Sequence, residues 1–201
     1  MAVKTYILGR DVVPGSFRAG SGETLDIVLV ALPGVHLSLP LDVTIEGEGA
    51  DVGIHGLYLC SGEDDLSLNI TVRHLCGGSS SRQLIKGIAG GEAKISFHGL
   101  IYVQQDAQKT QALQENHNIL LSETASVSTL PQLEIYADDV QCSHGATIGA
   151  LSEDELFYLR SRGIPLDEAR AMQMLSFVSP VLDCVTDESL RSEIISALSR
   201  L

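Results

Sequence analysis

The chain has 201 residues and a formal charge of −13, from 26 acidic against 13 basic side chains, and this length holds one domain, or one domain with an appendage. The acidic excess runs along the whole chain, with 17 acids and 8 bases in residues 1–151 and 9 and 5 in residues 152–201, which excludes a phosphate-tracking nucleic-acid protein and a polybasic membrane-surface protein. A hydrophobic fraction of 44% with 19 glycines and only nine aromatics sets disorder aside and points to an aliphatic core.

In chain order, apolar alternation or short apolar runs predict strands at 25–32, 37–45, 52–59, 66–75, 95–103, 118–121 and 133–137, punctuated by Gly, Asp, Ser and Asn. No helical period intrudes before residue 152. Runs that begin some 11–23 residues apart fit an all-β sandwich, barrel or solenoid.

The histidines favour the solenoid. His36, His55, His74, His98, His117 and His144 are separated by 19, 19, 24, 19 and 27 residues, several in a shared setting such as IHGLYL and FHGLIYV. A repeat of about 20–25 residues is what stacked coils need, and it predicts that His36, His55 and His74 sit in neighbouring coils. A metal-binding ladder is the functional reading of that series. A repeated strand-edge position that tolerates a polar ring is the plainer one and is preferred.

Residues 152–201 change character. Ser152 with Glu155 forms a capping-box pattern that opens a helix ending near Gly163. A second helix is predicted from Pro165 to about Val178, and a third from Thr186–Glu188 with Leu190, Ile194, Leu198 and Leu201 on one face. The expected organisation is a β body over 1–151 and a helical segment over 152–201.

No phosphate-binding loop, nucleophile elbow, zinc-protease motif or EF-hand is present. The pairs Asp64–Asp65 and Asp138–Asp139 read best as turn residues, because adjacent acids on a strand face opposite ways. Cys60, Cys76, Cys142 and Cys184 lack any C-x-x-C spacing, so free thiols in a reducing compartment are expected. The segment DDVQCSHGATIG (138–149) is the one place where soft and borderline metal ligands meet. If it is extended, Cys142 and His144 leave one face of the strand together. Two ligands cannot close a tetrahedral site, so the others must come from elsewhere in the fold or from another chain. With no apolar run near the roughly 20 residues of a membrane span, and no secretory signal in MAVKTYILGRDVVPG, the expected location is cytoplasmic.

The segments HGLIYVQQDAQKTQALQENHNILLS (98–122), PQLEIYADDVQCSHGATIG (131–149) and LFYLRSRGI (156–164) resemble the C-terminal core of the SufB/SufD family, SufD-type, of the SUF iron–sulfur cluster assembly system. The match is dense over 98–180 and holds only in texture over 1–94. The resemblance implies a right-handed parallel β-helix followed by a small C-terminal helical segment. It further implies a non-enzymatic scaffold that pairs with a SufB-like paralogue through the β-helix and recruits a SufC-like ABC ATPase through the helices. Phe157, Tyr158, Arg160 and Arg162 are the docking candidates. His144 falls where the SufD-type motif places its interface histidine and Cys142 where it places the neighbouring cysteine, so both become candidate ligands for a transient iron–sulfur cluster at the shared interface. No cofactor is expected in the isolated chain, which could instead pair with a second copy of itself. Family members begin with a helical region that nothing before residue 20 resembles, so functions tied to it are not carried over. The rival readings are a purely structural docking partner and a β-helix enzyme acting on polysaccharide, the latter disfavoured by the few aromatics available to stack on sugars.

Overall fold

The computed structural model describes residues 2–201. Its strands are β1 (Ala2–Ile7), β2 (Ser16–Ala19), β3 (Thr24–Ala31), β4 (His36–Ile45), β5 (Asp51–Cys60), β6 (Asp65–His74), β7 (Ser80–Ala89), β8 (Lys94–Val103), β9 (Gln111–Leu120), β10 (Ser126–Ile135) and β11 (Gln141–Gly149). The odd strands form one parallel sheet in the order β1-β3-β5-β7-β9-β11, and the even strands a second in the order β10-β8-β6-β4-β2. The chain is thus a β-solenoid of about five turns, each giving one strand to each sheet, as the sequence leads one to expect.

The repeat that builds it is longer than the histidine spacing. Asp51 pairs with Ser80 and Asp65 with Lys94, each 29 residues on, and Ser80 pairs with Gln111, 31 residues on. The apolar runs 11–23 residues apart are half-coils that alternate between sheets. The expectation that His36, His55 and His74 occupy equivalent places in neighbouring coils is therefore not met, since His55 lies on the first sheet and His36 and His74 on the second. His36 pairs with Asp65, His55 with Val28 and Leu84, and His74 with Ile45 and Val103, so none stacks on another. The period is marked instead at one corner, where Gly22, Gly49 and Gly78 hold φ of +65°, +71° and +64° two residues before β3, β5 and β7. Left-handed backbone costs glycine least. Lys109, φ +61°, occupies the same corner before β9 without that advantage. The Gly22 and Gly78 N–H groups donate to Glu48 and Gln108 carbonyls of the next coil at 2.9 and 2.8 Å.

The interior of the early coils is aliphatic, with Ile27, Leu29, Leu41, Ile54, Leu66, Leu68 and Ile70 buried. The first end is filled by Phe17 tilted against Tyr6 at 6.1 Å between ring centroids. The helices α1 (Glu153–Ser161), α2 (Leu166–Leu182) and α3 (Glu188–Leu198) follow β11. They begin where the sequence places them: the Ser152 hydroxyl accepts the Glu155 N–H, and the Asp187 carboxylate accepts those of Ser189 and Leu190. The second helix runs one turn past Val178, through Pro180. Pro180 cannot donate to the Ser176 carbonyl, and the Ser179 hydroxyl fills that vacancy at 2.9 Å. Met174, Val178, Val181, Leu190, Ile194 and Leu198 pack on Val28, Val30, Leu57, Leu59 and Ile88 of the first sheet's outer face, each such side chain worth roughly 1.5–3 kcal/mol when withdrawn from water. Arg10 clamps Glu193 with two hydrogen bonds, 3.0 and 2.7 Å, and ties α3 to the first turn.

His74 is a core residue rather than a ligand. It is fully buried, with Nδ1 and Nε2 at 2.9 and 2.8 Å from the hydroxyls of Ser79 and Ser81, a pairing that suits a neutral ring, one nitrogen donating and the other accepting. Burial lowers its pKa from 6.5 to about 4. Between these values the unfolded chain binds the proton and the folded chain does not, so stability conferred by neutral His74 is intact above about pH 6.5 and is lost as pH falls toward 4. Denaturant unfolding across that window will show a slope that His74→Asn reduces, with a change of at most a few kcal/mol.

Candidate functional site

Cys142 and His144 lie on β11, the last strand of the first sheet, in register with Ala112 and Gln114 of β9. Alternation along a strand sends both side chains to one face. That face is the interior one, because Gln114 and Ala112 are buried inside the coil below. The expectation of an extended segment with both groups on one side is thus met. No coil follows, so β10 and β11 end their sheets with one edge each unpaired.

The consequence is visible in burial. The interior positions Ile95, Phe97, Ile101 and Val103 of β8 are buried, whereas of their register partners on β10, Val127, Thr129 and Leu133 are half-open and Ile135 is exposed. Ile135, Tyr136 and Ile148 are exposed at the same end. Cys142 is half-buried in a small cluster with Leu133, Val140, Ile101, Val103, Ala107, Ala112 and Ala137. Burial pushes its thiol pKa up, partly offset by a backbone hydrogen bond from Ala112. His144 is exposed. Among the described residues, no group of three or more His, Cys, Asp or Glu could hold a metal ion. The pair is therefore an incomplete ligand set on an open lip.

Beneath the lip the interior becomes polar, a feature the sequence reading missed. Gln83, Gln114, Asn116 and Asn118 are buried on the inner face of β7 and β9. Gln114 Nε2 donates to Gln83 Oε1 at 3.2 Å, and Asn118 Nδ2 to Asn116 Oδ1 at 2.8 Å. The Tyr58 hydroxyl donates to Asn118 Oδ1 across Gly87, where any Cβ would overlap the Tyr58 ring. Gln83 Nε2, Gln114 Oε1, Asn116 Nδ2 and Thr129 Oγ1 have no partner. Gly78 marks the corner five residues before Gln83, but the corresponding corner before Gln114 is Lys109, which carries no glycine to mark it.

The other singled-out residues are placed as follows. Asp64 accepts N–H groups of Gly34 and Ser61 and is a turn residue, and the Asp139 backbone N–H donates to Gln108 Oε1 at 2.8 Å. Cys60 is buried in the core with its thiol pKa pushed up by that burial, and Cys184 packs at the edge of the helical cluster. Phe157, Tyr158, Arg160 and Arg162 are all exposed on α1 and its C-cap, Phe157 by 76% of its surface, and the Arg162 guanidinium lies over the Tyr158 ring at 5.1 Å. A second apolar strip, Met172, Leu175 and Ile195, opens between α2 and α3. A shallow groove crosses the starts of β5, β7, β9 and β11, with one acid, Asp51, held by the Ser80 hydroxyl, and one base, Arg82. No helix among the described residues is long and apolar enough to cross a membrane.

Residues 16–177 match the family model described as SUF system FeS cluster assembly, SufBD core domain. The chain is 37% identical over 156 residues to the iron–sulfur cluster assembly protein SufD of Escherichia coli, covering 78% of this chain and 37% of that one. It is 31% identical over 154 residues to SufD of Bacillus subtilis, covering 77% and 35%. It is 40% identical over 139 residues to the Arabidopsis thaliana protein named ABCI7, chloroplastic, covering 68% and 29%. The chain spans about a third of the length of these relatives.

The raised thiol pKa has a measurable outcome. At about pH 7.5, Cys142 of the isolated chain will be alkylated by iodoacetamide several-fold more slowly than an unstructured cysteine peptide, and the rate will climb with pH, because the thiolate is the nucleophile. Peptide mass spectrometry reads both.

Proposed function

Because the chain belongs to the SufBD core family of iron–sulfur cluster assembly proteins, we propose that it acts as a SufD-like scaffold subunit, pairing with a SufB-like paralogue and recruiting a SufC-like ABC ATPase. The observation that carries this reading is the uncapped last coil, which presents Cys142 and His144 on the inner face of an unpaired edge strand. Unpaired backbone and half-open apolar positions at a sheet end are what a second β-solenoid would cover. The same lip could be covered by a second copy when the paralogue is absent.

The nascent cluster is the cargo of this site. His144 offers one imidazole nitrogen and Cys142 a thiol that must lose its proton to bind iron. The remaining ligands come from the paired chain, and a site split between two chains opens when they part. The polysaccharide enzyme is disfavoured by the groove across the starts of β5, β7, β9 and β11, whose single carboxylate falls short of the pair that glycoside hydrolysis generally uses.

Co-expression with SufB and SufC tests the ligand role. His144→Ala will lower iron and sulfide per isolated complex while leaving the complex assembled, since one lost ligand weakens the site and the apolar contacts persist. Unchanged loading would reject the ligand role in favour of a purely structural partner.

ATPase docking is assigned to α1 and its C-cap, where Phe157 and Tyr158 present aromatic surface beside Arg160 and Arg162. Removing residues 152–201 would bare Val28, Val30, Leu57 and Leu59, so point substitutions separate docking from folding better than truncation. The double variant Phe157→Ala/Tyr158→Ala will weaken ATPase binding by about tenfold or more with little change in thermal unfolding, because both side chains are exposed. Calorimetric titration of the purified ATPase measures the first and a thermal scan the second.

A further inference from the structure

On the inner face of the first sheet one side-chain column runs Ile27, Ile54, Gln83, Gln114, His144, each in register with the next. Neighbours in such a column are about 4.8 Å apart along the solenoid. The column is aliphatic for two coils and polar for three. Gln114 is fully buried, and its Nε2 is committed downward to Gln83 Oε1 at 3.2 Å. Its Oε1 has no partner. The second sheet makes room for this amide: Gly99 faces it, and a Cβ at Gly99 would overlap the Gln114 carboxamide.

We propose that Gln114 is the positioning residue of His144: its buried carboxamide oxygen accepts one ring N–H of His144 when a partner closes the lip, and so presents the other ring nitrogen, unprotonated, to the cluster. This rests on the reading of His144 as a ligand. A carboxamide oxygen only accepts, so the ring nitrogen facing it must carry the proton and the tautomer is set. Histidines that bind metals almost always donate their second N–H to a carboxylate, a backbone carbonyl or water, and a carboxamide oxygen is an acceptor of comparable geometry. In the isolated chain both ends of the bond are free, the oxygen unpaired and His144 exposed. A buried acceptor without a partner is a destabilising feature that a leucine at 114 would not have.

The test uses the chain with 15N-labelled histidine in the metal-free complex with SufB and SufC. Wild type should show His144 as a single neutral tautomer in long-range 15N–1H correlations, and Gln83→Leu/Gln114→Leu should show an exchanging mixture. The double variant should unfold at a temperature equal to or above that of wild type, because orphaned amide atoms are removed. It should nonetheless lose iron to a chelator on the order of tenfold more readily. Gln114→Glu, which keeps an acceptor oxygen at the same reach, should restore the single tautomer. An exchanging mixture in the wild-type complex overturns the proposal without any variant, as does a tautomer pattern unchanged in the double variant. Loss of the ligand reading is distinguishable: His144→Ala would then leave iron loading unchanged, while the tautomer measurement still decides whether the Gln114–His144 bond exists.

Discussion

The parallel, in-register stacking of one coil on the next governs everything else in this molecule. Each strand satisfies its backbone by exchanging N–H to C=O hydrogen bonds with the strands on both sides, alternate residues bonding to alternate neighbours, and each inner side chain is supported by the one directly below it. A column such as Ile27–Ile54–Gln83–Gln114–His144 is therefore a physical unit, although its members lie about 30 residues apart. The same rule creates the open lip, because the last coil has support beneath it and nothing above. Tyr6 and Phe17 fill the first end, but Val127, Thr129, Leu133 and Cys142 stay half-open at the last.

The interior changes chemistry along the axis. The early coils bury Ile, Leu and Val, whose transfer from water stabilises the fold. The later coils bury four carboxamide side chains, and among them Gln83 Nε2, Gln114 Oε1 and Asn116 Nδ2 stay unpaired. Each such atom costs on the order of 1–3 kcal/mol. The polar residues sit on β7 and β9, the strands beneath Cys142 and His144, while β8 of the facing sheet remains Ile95, Phe97, Ile101 and Val103. The orphaned carboxamide atoms thus lie on the strands beneath the candidate ligands.

What was legible in the sequence was local. Alternating apolar positions located β3 to β6 and β8, and Ser152 and Asp187 announced their helices because a cap acts within three residues. β7 escaped notice because its inner positions are Ser81, Gln83, Ile85, Gly87 and Ala89, which break the apolar alternation. β2 is only four residues long. The histidine spacing misled because it mixes both sheets: His55 lies on the first and His36, His74 and His98 on the second. The corner positions 22, 49, 78 and 109 carried the true period, since a left-handed residue must recur wherever the coil turns the same way. The pairing of Cys142 with His144 was readable from their spacing of two. The carboxamide beneath His144 was not, because it depends on a register set by whole coils.

The first sheet bears both halves of the proposed role, one on each face. On β7, Lys86 points outward to lie over the Phe177 ring of α2 at 4.5 Å, while Gln83 and Ile85 face the interior. On β9, Ile119 lies beneath the helical cluster, while Gln114 and Asn116 face inward below the lip. Successive residues of a strand point to opposite faces, so a shift of α2 across this sheet is also a shift of the strands that support His144. The second sheet carries no helix. A load placed on α2 would therefore fall on the sheet whose last edge, unpaired within the chain, holds the candidate ligands.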